Sequence, residues 1–463
     1  MDKILDVLSD YAVSITYEKL SESVVYDVKR RFIDTLGCAM GSYNMIPSKI
    51  ARAHAMEVTS IPGSTVLGSR HQSAPELAAF ANAVMARYFD FNDKSEAKKG
   101  GHPSDNTLPV LAAAEYAGAD IRSTIAGIVL AYEVQERVGD ACSHMIDTGW
   151  DYVLYIALAS AAGAGKVMGL NKEQMANALA LAVVPNAGTH ETREGQLSMW
   201  KGCAAANAAR NGVFAAMMAR RGLTGPEAAF EGPCGFNKQF GVSLQLPILG
   251  GGNVPFAILQ TRFKAYPCDF EAQCCVTPMA ELHKELKGKL DEIEKIEIES
   301  YQHTVQCAAD SRDKWNPKTR ETADHSLPYV AAVALARGTV LLDDFEDDRI
   351  SDPKIYALMQ KIEVRVLDEF TRAWPEAYPF RVIVTTKSGQ KHIQEIYYAK
   401  GHPKNPMSDQ EIEEKFRKLV EPVMSPGQVD KALKALWHLE DMKSLHEVFD
   451  LFVLDPAMVN AQT

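Results

Sequence analysis

Residues Ala157–Gly165 read ALASAAGAG, and residues Gly202–Gly212 read GCAAANAARNG. Both lie in stretches whose apolar residues recur at helical spacing, and both are dominated by Ala and Gly. Side chains this small let helix axes approach closely, so the two segments predict a compact helical bundle with a buried core. Working outward, helical spacing covers 4–16, 20–42, 74–89, 107–117, 121–140, 152–168, 172–184 and 198–221, most of them broken by Gly, Pro or Asn clusters. This part of the chain reads as all-α. The GGGN run at Gly250–Asn253 and the Tyr266-Pro267 step mark a change. Beyond them helices at 271–286, 322–337 and 352–361 alternate with strands at 293–300, 362–368, 380–386 and 391–398, the last two joined as a hairpin through Lys387-Ser388-Gly389-Gln390. From Ser408 to near Phe452 the pattern is helical again. The expectation is a mainly α protein: a discontinuous all-helical domain with an inserted α+β domain.

Among 463 residues, 49 Lys and Arg face 60 Asp and Glu, a net charge of −11. That balance argues against a nucleic-acid binder or a protein held to acidic membranes, though it allows a local basic pocket. No apolar run approaches the roughly 18 residues of a membrane span. The opening Met-Asp-Lys-Ile-Leu-Asp has no basic segment followed by an apolar one, so a soluble cytoplasmic protein is expected. The eight cysteines contain no C-x-x-C pair, and in a reducing compartment they are expected to behave as small buried hydrophobes rather than metal or cluster ligands.

Nucleotide motifs fail on inspection. Ser160–Val167 (SAAGAGKV) lacks the first Gly and the final Ser/Thr of a phosphate loop, and Met168 replaces the last Gly of a dinucleotide fingerprint. Neither a G-x-S-x-G elbow nor an H-E-x-x-H helix occurs.

The candidate chemistry lies elsewhere. Asp90-Phe91-Asn92-Asp93-Lys94 and Lys98-Lys99-Gly100-Gly101-His102-Pro103-Ser104-Asp105-Asn106 gather carboxylates, lysines and a His ahead of the 107–117 helix. His is the side chain best suited to exchange protons near neutral pH, but the same stretch also fits a solvated loop with a structural His. Lys201, in Ser198-Met199-Trp200-Lys201-Gly202, is either a snorkelling side chain or a buried cation awaiting an anion. Arg193 lies in the polar loop His190–Gly195, and Arg262 and Lys264 lie at the junction Thr261–Asp269. Tyr329 follows His325-Ser326-Leu327-Pro328 at the start of a helix, where a core aromatic or a proton donor both fit. His283, His303, His392, His402, His438 and His446 lack such company and read as surface or core residues. Together these segments suggest a small polyanion held by Lys and Arg between a helical domain and a lid.

These strings resemble those of the MmgE/PrpD family, which includes 2-methylcitrate dehydratases, cis-aconitate decarboxylases and iminodisuccinate epimerases. Asp90-Phe91-Asn92-Asp93 with Gly101-His102-Pro103-Ser104-Asp105-Asn106 is similar to the D-F-N-D…G-H-P-S-D-N stretch of the methylcitrate dehydratases. The similarity continues through Gly169-Leu170, Trp200-Lys201, Phe263-Lys264…Pro267, His325…Tyr329 and Asn405-Pro406-Met407-Ser408. The resemblance implies a helical domain from 1–267 and 401–463, an α+β lid at 268–400, a cleft between them, a homodimer, no metal and no organic cofactor. It carries catalytic or substrate-contacting roles to Asp90, His102, Lys201, Lys264 and Tyr329, with Lys94, Arg193 and Ser104 as further substrate-binding candidates. His102 is expected to transfer the proton, Asp90 to orient or tune it, Lys201 and Lys264 to hold carboxylates, and Tyr329 to assist the leaving hydroxyl or protonate an intermediate. Three departures stand out. Lys94 replaces a frequent Thr, the Thr189–Gln196 loop lacks a longer T-Y-R-H-type segment, and no His stands near Gly149-Trp150-Asp151, where decarboxylases have one. The expected activity is therefore dehydration of a 2-methylcitrate- or citrate-like tricarboxylate. Decarboxylation or epimerisation is the alternative, and a non-catalytic tricarboxylate binder the remote one.

Overall fold

The computed structural model describes residues 1–95, 101–142 and 149–455. Helices make up 56% of the structure and strands little, so the chain is mainly α as its periodicity predicts.

The Ala/Gly-rich helices pack at the short range their composition allows. A Cβ on Gly163, in helix Val153–Val167, would lie 2.5 Å from Val110 Cγ2 and 2.9 Å from the Gly127 carbonyl of helix Ile121–Ala141. A Cβ on Gly212, in helix Ala204–Arg220, would lie 2.4 Å from the Ala157 carbonyl. Any larger residue at these crossings would push the helices apart.

One hydrophobic core joins residues from Ile4 to Phe263 with residues from Met407 to Leu454. Helix Asp409–Val420 lies along helix Glu22–Gly41, and its buried Lys415 pairs with Asp34 at 2.6 Å. The same ammonium donates to the carbonyls of Phe91 (2.7 Å) and Lys264 (2.9 Å), so a C-terminal helix braces two candidate site segments.

A second core, from Cys268 to Ala399, surrounds a four-stranded sheet. Its strand order is Ile362–Val366, Ile293–Ser300, Phe380–Thr386, Lys391–Ile396; the first pair is parallel and the others antiparallel. In Phe380–Thr386 alternate residues are buried, as expected for a strand with one covered face. Helices Val276–Leu286 and Leu327–Arg337 pack against each other, and the former lies on the hairpin strands.

Three predicted helices differ in detail. The 198–221 segment begins as a 3₁₀ turn, Met199–Gly202, before helix Ala204–Arg220. The 322–337 segment splits into Arg320–Ala323 and Leu327–Arg337, because Ser326 caps the second helix through the Tyr329 N–H and Pro328 sits in its first turn. The 271–286 segment likewise divides into Phe270–Gln273 and Val276–Leu286. Helix Ile46–Met56 is an addition to the predicted set. None of the eight cysteines forms a disulfide; six are buried, Cys234 is exposed and Cys307 is half-buried. Among the described residues, no helix is long and apolar enough to cross a membrane.

Candidate active site

The site is organised around Asp90, just beyond helix Pro75–Arg87. Its φ of 50° lies in the left-handed region that few non-glycine residues occupy. That backbone turns its carboxylate inward, where it is fully buried among cations. Arg87 pairs directly with Oδ1. Lys264 approaches Oδ2 at 2.7 Å and also donates to the carbonyls of Asp90 (2.8 Å) and Cys268 (3.0 Å). Lys201 lies 3.8 Å from Oδ1 and 3.3 Å from Asp324. Burial alone would raise the Asp90 pKa, but Arg87, Lys201, Lys264 and His325 outweigh it and hold the carboxyl well below its ordinary range.

His102 sits where Gly101-His102-Pro103 enters a 3₁₀ turn. Its Nδ1 is 2.5 Å from the Asp93 carbonyl. A carbonyl only accepts, so Nδ1 carries the proton and Nε2 bears the lone pair, which accepts from Arg87 Nη2 at 2.9 Å. Burial, Arg87 and Lys264 hold the imidazole pKa well below 6.5, so His102 is neutral at physiological pH. Its loop is fixed by Asp93, whose carboxylate accepts from the Ser104 N–H (3.0 Å), and by Asn92, which donates to Ser104 Oγ and Asp105 (both 2.9 Å). Lys98, Lys99 and Gly100 lie outside the described residues.

His325 repeats this arrangement on the α+β side. Its Nδ1 is 2.5 Å from Asp324, and its Nε2 faces Asp269 (3.7 Å) and Asp90 (3.9 Å). Burial and Lys201 lower its pKa against the pull of Asp324. Burial and Glu271 push Asp269 up to about 6, and burial pushes Asp105 up to about 7. One atom each from Asp90, Asp269 and His325 lie within 4.8 Å of one another, a spacing a metal ion would accept. Asp90, however, is already engaged by Arg87 and Lys264, so this trio fits an ion-pair network better than a cation site.

A cavity of about 770 Å³ opens between residues of the two cores. Arg87, Lys94, His102, Tyr152 and Arg193 form its helical wall, with Asp269, Glu271, His303, Cys307, Asp310, Lys314 and His325 opposite. Arg193 is held by Asp151 at 2.7 Å, and Asp310 by Lys314 at 2.9 Å. Lys94 is half-buried, and its backbone exchanges two 2.8 Å hydrogen bonds with Arg262.

The structure thus brings Asp90, His102, Lys201 and Lys264 together and sets Lys94 and Arg193 on the cavity wall. Lys201 and Lys264 are buried behind that wall, where their anions are Asp90 and Asp324 rather than groups in the cavity. Ser104 is likewise internal and supports the His102 loop. Tyr329 is not brought to the cavity. It is buried in the α+β core and its hydroxyl donates to the Asp344 carbonyl, because the helix that starts at Leu327 directs it inward. His303, expected to be a surface or core residue, lines the cavity. Sequence reasoning also missed Arg87, whose signal was a basic residue three positions before Asp90 in a last helical turn, and His325, whose signal was its place just before a helix N-cap.

Similarity to known proteins identifies the family. Residues 6–246 match the MmgE/PrpD N-terminal domain and residues 266–439 the MmgE/PrpD C-terminal domain. The chain is 29% identical to a mitochondrial 2-methylcitrate dehydratase of Yarrowia lipolytica, over 98% of this chain and 90% of that protein. It is 30% identical to the 2-methylcitrate dehydratase of Escherichia coli K12, over 78% and 76%. It is 26% identical to the human cis-aconitate decarboxylase, over 92% and 89%. Both family domains cover most of the chain and the D-F-N-D and G-H-P-S-D-N residues converge on one buried cluster, so the chain belongs to the MmgE/PrpD family.

Proposed function

We propose that the protein is a dehydratase, independent of metal and organic cofactor, that removes water from a 2-methylcitrate- or citrate-like tricarboxylate to give a cis-aconitate-type product. The observation that carries this reading is the neutral His102 on the cavity wall, its one lone pair at Nε2 beside Arg87. Elimination beside a carboxylate needs a base for the carbon-bound proton and a cation for the enolate-like charge that develops. His102 and Arg87 answer those needs at adjacent atoms, and relatives named 2-methylcitrate dehydratase support the substrate class.

In this reading Arg87, Lys94 and Arg193 receive substrate carboxylates. Asp90 fixes Arg87, while Lys201 and Lys264 fix Asp90. Residues 268–400 act as a lid over a helical domain formed by 1–267 and 401–463, and its closure excludes water. The enzyme works in the cytoplasm as a homodimer, with neither nucleic acid nor membrane as partner. Decarboxylation or epimerisation passes through a similar carbanion, and the similarity to a cis-aconitate decarboxylase keeps the first in view.

Proton NMR of chelator-treated enzyme in heavy water, with 2-methylcitrate, citrate and cis-aconitate supplied separately, tests the proposal. An unsaturated product retaining all its carboxylates is expected. Loss of a carboxylate would reassign the enzyme as a decarboxylase, deuterium incorporation alone as an epimerase or isomerase, and no change with any of the three would reject the substrate class.

A further inference from the structure

Among the polar side chains of the cavity wall that the foregoing chemistry leaves unused, Tyr152 stands beside the base. Tyr152 lies at the start of helix Val153–Val167 and lines the cavity beside His102, their rings 6.0 Å apart. The Arg193 guanidinium stacks over its ring at 4.5 Å, and Asp151 holds that guanidinium in place. Gly101, the residue before His102, has φ 71°, and a Cβ there would lie 2.1 Å from Tyr152 Cδ2. The glycine and the phenol are therefore fitted to each other, and a larger residue at 101 would displace the ring.

Tyr152 Oη is buried and has no hydrogen bond of ordinary geometry among the described residues, although Arg87 lies close enough to interact with it. A buried hydroxyl without a well-formed hydrogen bond costs free energy, and of the tyrosines in that state Tyr152 is one that lines the cavity, where a ligand can complete it.

We infer that Tyr152 is the proton donor to the departing hydroxyl, acting on the same substrate face of the cavity as His102. The inference rests on the dehydratase reading above. His102 Nε2 takes the proton from the carbon beside the carboxylate, the carbon–oxygen bond breaks, and the leaving oxygen takes the Tyr152 proton to depart as water. The enzyme is left as imidazolium and phenolate, and transfer of one proton from the first to the second, through solvent once product has left, restores both. Arg87 and Arg193 flank the phenolate while it lasts. Burial raises the phenol's pKa more than these two cations lower it, so the resting group holds its proton and is ready to donate.

Tyr152→Phe removes the hydroxyl and keeps the ring. Water loss should slow by about 100-fold or more. Because the hydroxyl has no well-formed hydrogen bond in the free protein, thermal stability should change little, and exchange of the carbon-bound proton for deuterium, which needs only His102, should persist. Replacing Tyr152 with 3-fluorotyrosine, whose phenol is more acidic, should shift the basic limb of the kcat profile to lower pH. Near-normal water loss by the Phe variant would overturn the inference. So would simultaneous loss of water elimination and deuterium exchange in a stably folded variant, since Tyr152 would then be positioning the base. A wild-type enzyme inactive with every tricarboxylate would remove the dehydratase reading and this assignment with it; an active wild type alongside an active Phe variant removes the assignment alone.

Discussion

Replacing Asp90 by Asn tests the electrostatic logic of the site without changing its shape. In the wild type three buried cations, Arg87, Lys201 and Lys264, meet Asp90, Asp324 and, 3.8 Å from Arg87, Asp105. Asp90→Asn leaves Lys201 with Asp324, Arg87 with the more distant Asp105, and Lys264 with backbone carbonyls. Removing one partner of a buried ion pair costs about 3–5 kcal/mol, because the other charge stays buried without compensation. The lower half of that range is expected, since burial already lowers the Lys201 pKa and loss of Asp90 makes shedding that proton easier still. The folded state of the variant then binds fewer protons than the unfolded chain, so its stability rises with pH and its deficit narrows above neutrality. In the wild type the sign is the same at the acid end, where a different group sets it. Asp90 has a depressed pKa, so its contribution is complete above about pH 4, where an unfolded Asp is ionised, and is lost as pH falls through the folded value. Urea unfolding at pH 7 should show the first transition of the variant roughly 1–2 M below that of the wild type. A variant within about 0.5 kcal/mol of the wild type, well under the cost of breaking a buried pair, would refute the account. A deficit that stays constant from pH 7 to 9.5 would do the same.

Three further outcomes are expected. His102→Gln should lower kcat/KM by at least about 100-fold. Because the wild-type imidazole is held well below its ordinary range, kcat/KM should stay flat as pH falls through 6.5, and an acid limb centred there that vanishes in the variant would show this histidine titrating normally. Tyr329→Phe removes only the hydrogen bond to Asp344, so steady-state kinetics should be near wild type with about 0.5–1.5 kcal/mol lost in chemical unfolding; a large fall in kcat would return Tyr329 to the reaction. Gly212→Ala places a methyl 2.4 Å from the Ala157 carbonyl and should destabilise by about 1–3 kcal/mol, read as a lower melting temperature, whereas an unshifted melt would mean the helices separate freely.

The helical scaffold was legible because its evidence is local. Ala/Gly content and a 3.6-residue period belong to single segments, and the crossings at Gly163 and Gly212 are where that composition leads. Residue types at the site were legible for the same reason: Asp90, His102, Lys201 and Lys264 stand out in their surroundings. Their partners did not, because pairing is not local. Lys264 reaches back to Asp90 from the junction, and Lys201 meets Asp324 from the other core, so a sequence that shows cations without anions led to roles as substrate clamps. Helix breaks misled in a second way. Continuous periodicity over 322–337 hid the cap at Ser326, and that cap points His325 toward Asp90 and Asp269 while turning Tyr329 into the core. The HSLPY string thus carried a site residue at its first position rather than its last.

Net charge is the clearest case of a sum concealing its arrangement. The −11 of the whole chain argues against anionic ligands only if charge is spread evenly in depth, which it is not. Exposed acids such as Asp348 and Glu227 meet water and counter-ions, whereas Arg87, Lys201 and Lys264 lie in a low-dielectric cluster where one uncompensated cation outweighs many solvated carboxylates. Against the three cations, Asp90 and Asp324 supply two charges, and Asp105, 3.8 Å from Arg87 and pushed up to about 7, supplies only part of a third, so the cluster can take a further anion. Arg87 is the member of the three that lines the cavity, so a carboxylate entering there would complete the charge balance and draw Arg87 from the His102 lone pair, freeing the base at the moment substrate arrives. Substrate binding and activation of the base are then one event, linked through Arg87. Arg87→Gln breaks the link: the His102 lone pair loses its Arg87 partner before substrate arrives, Lys94 and Arg193 still hold the tricarboxylate, and the cation beside the developing charge is gone. In that variant kcat should fall far more than KM rises, and a change confined to KM would reduce Arg87 to a binding group.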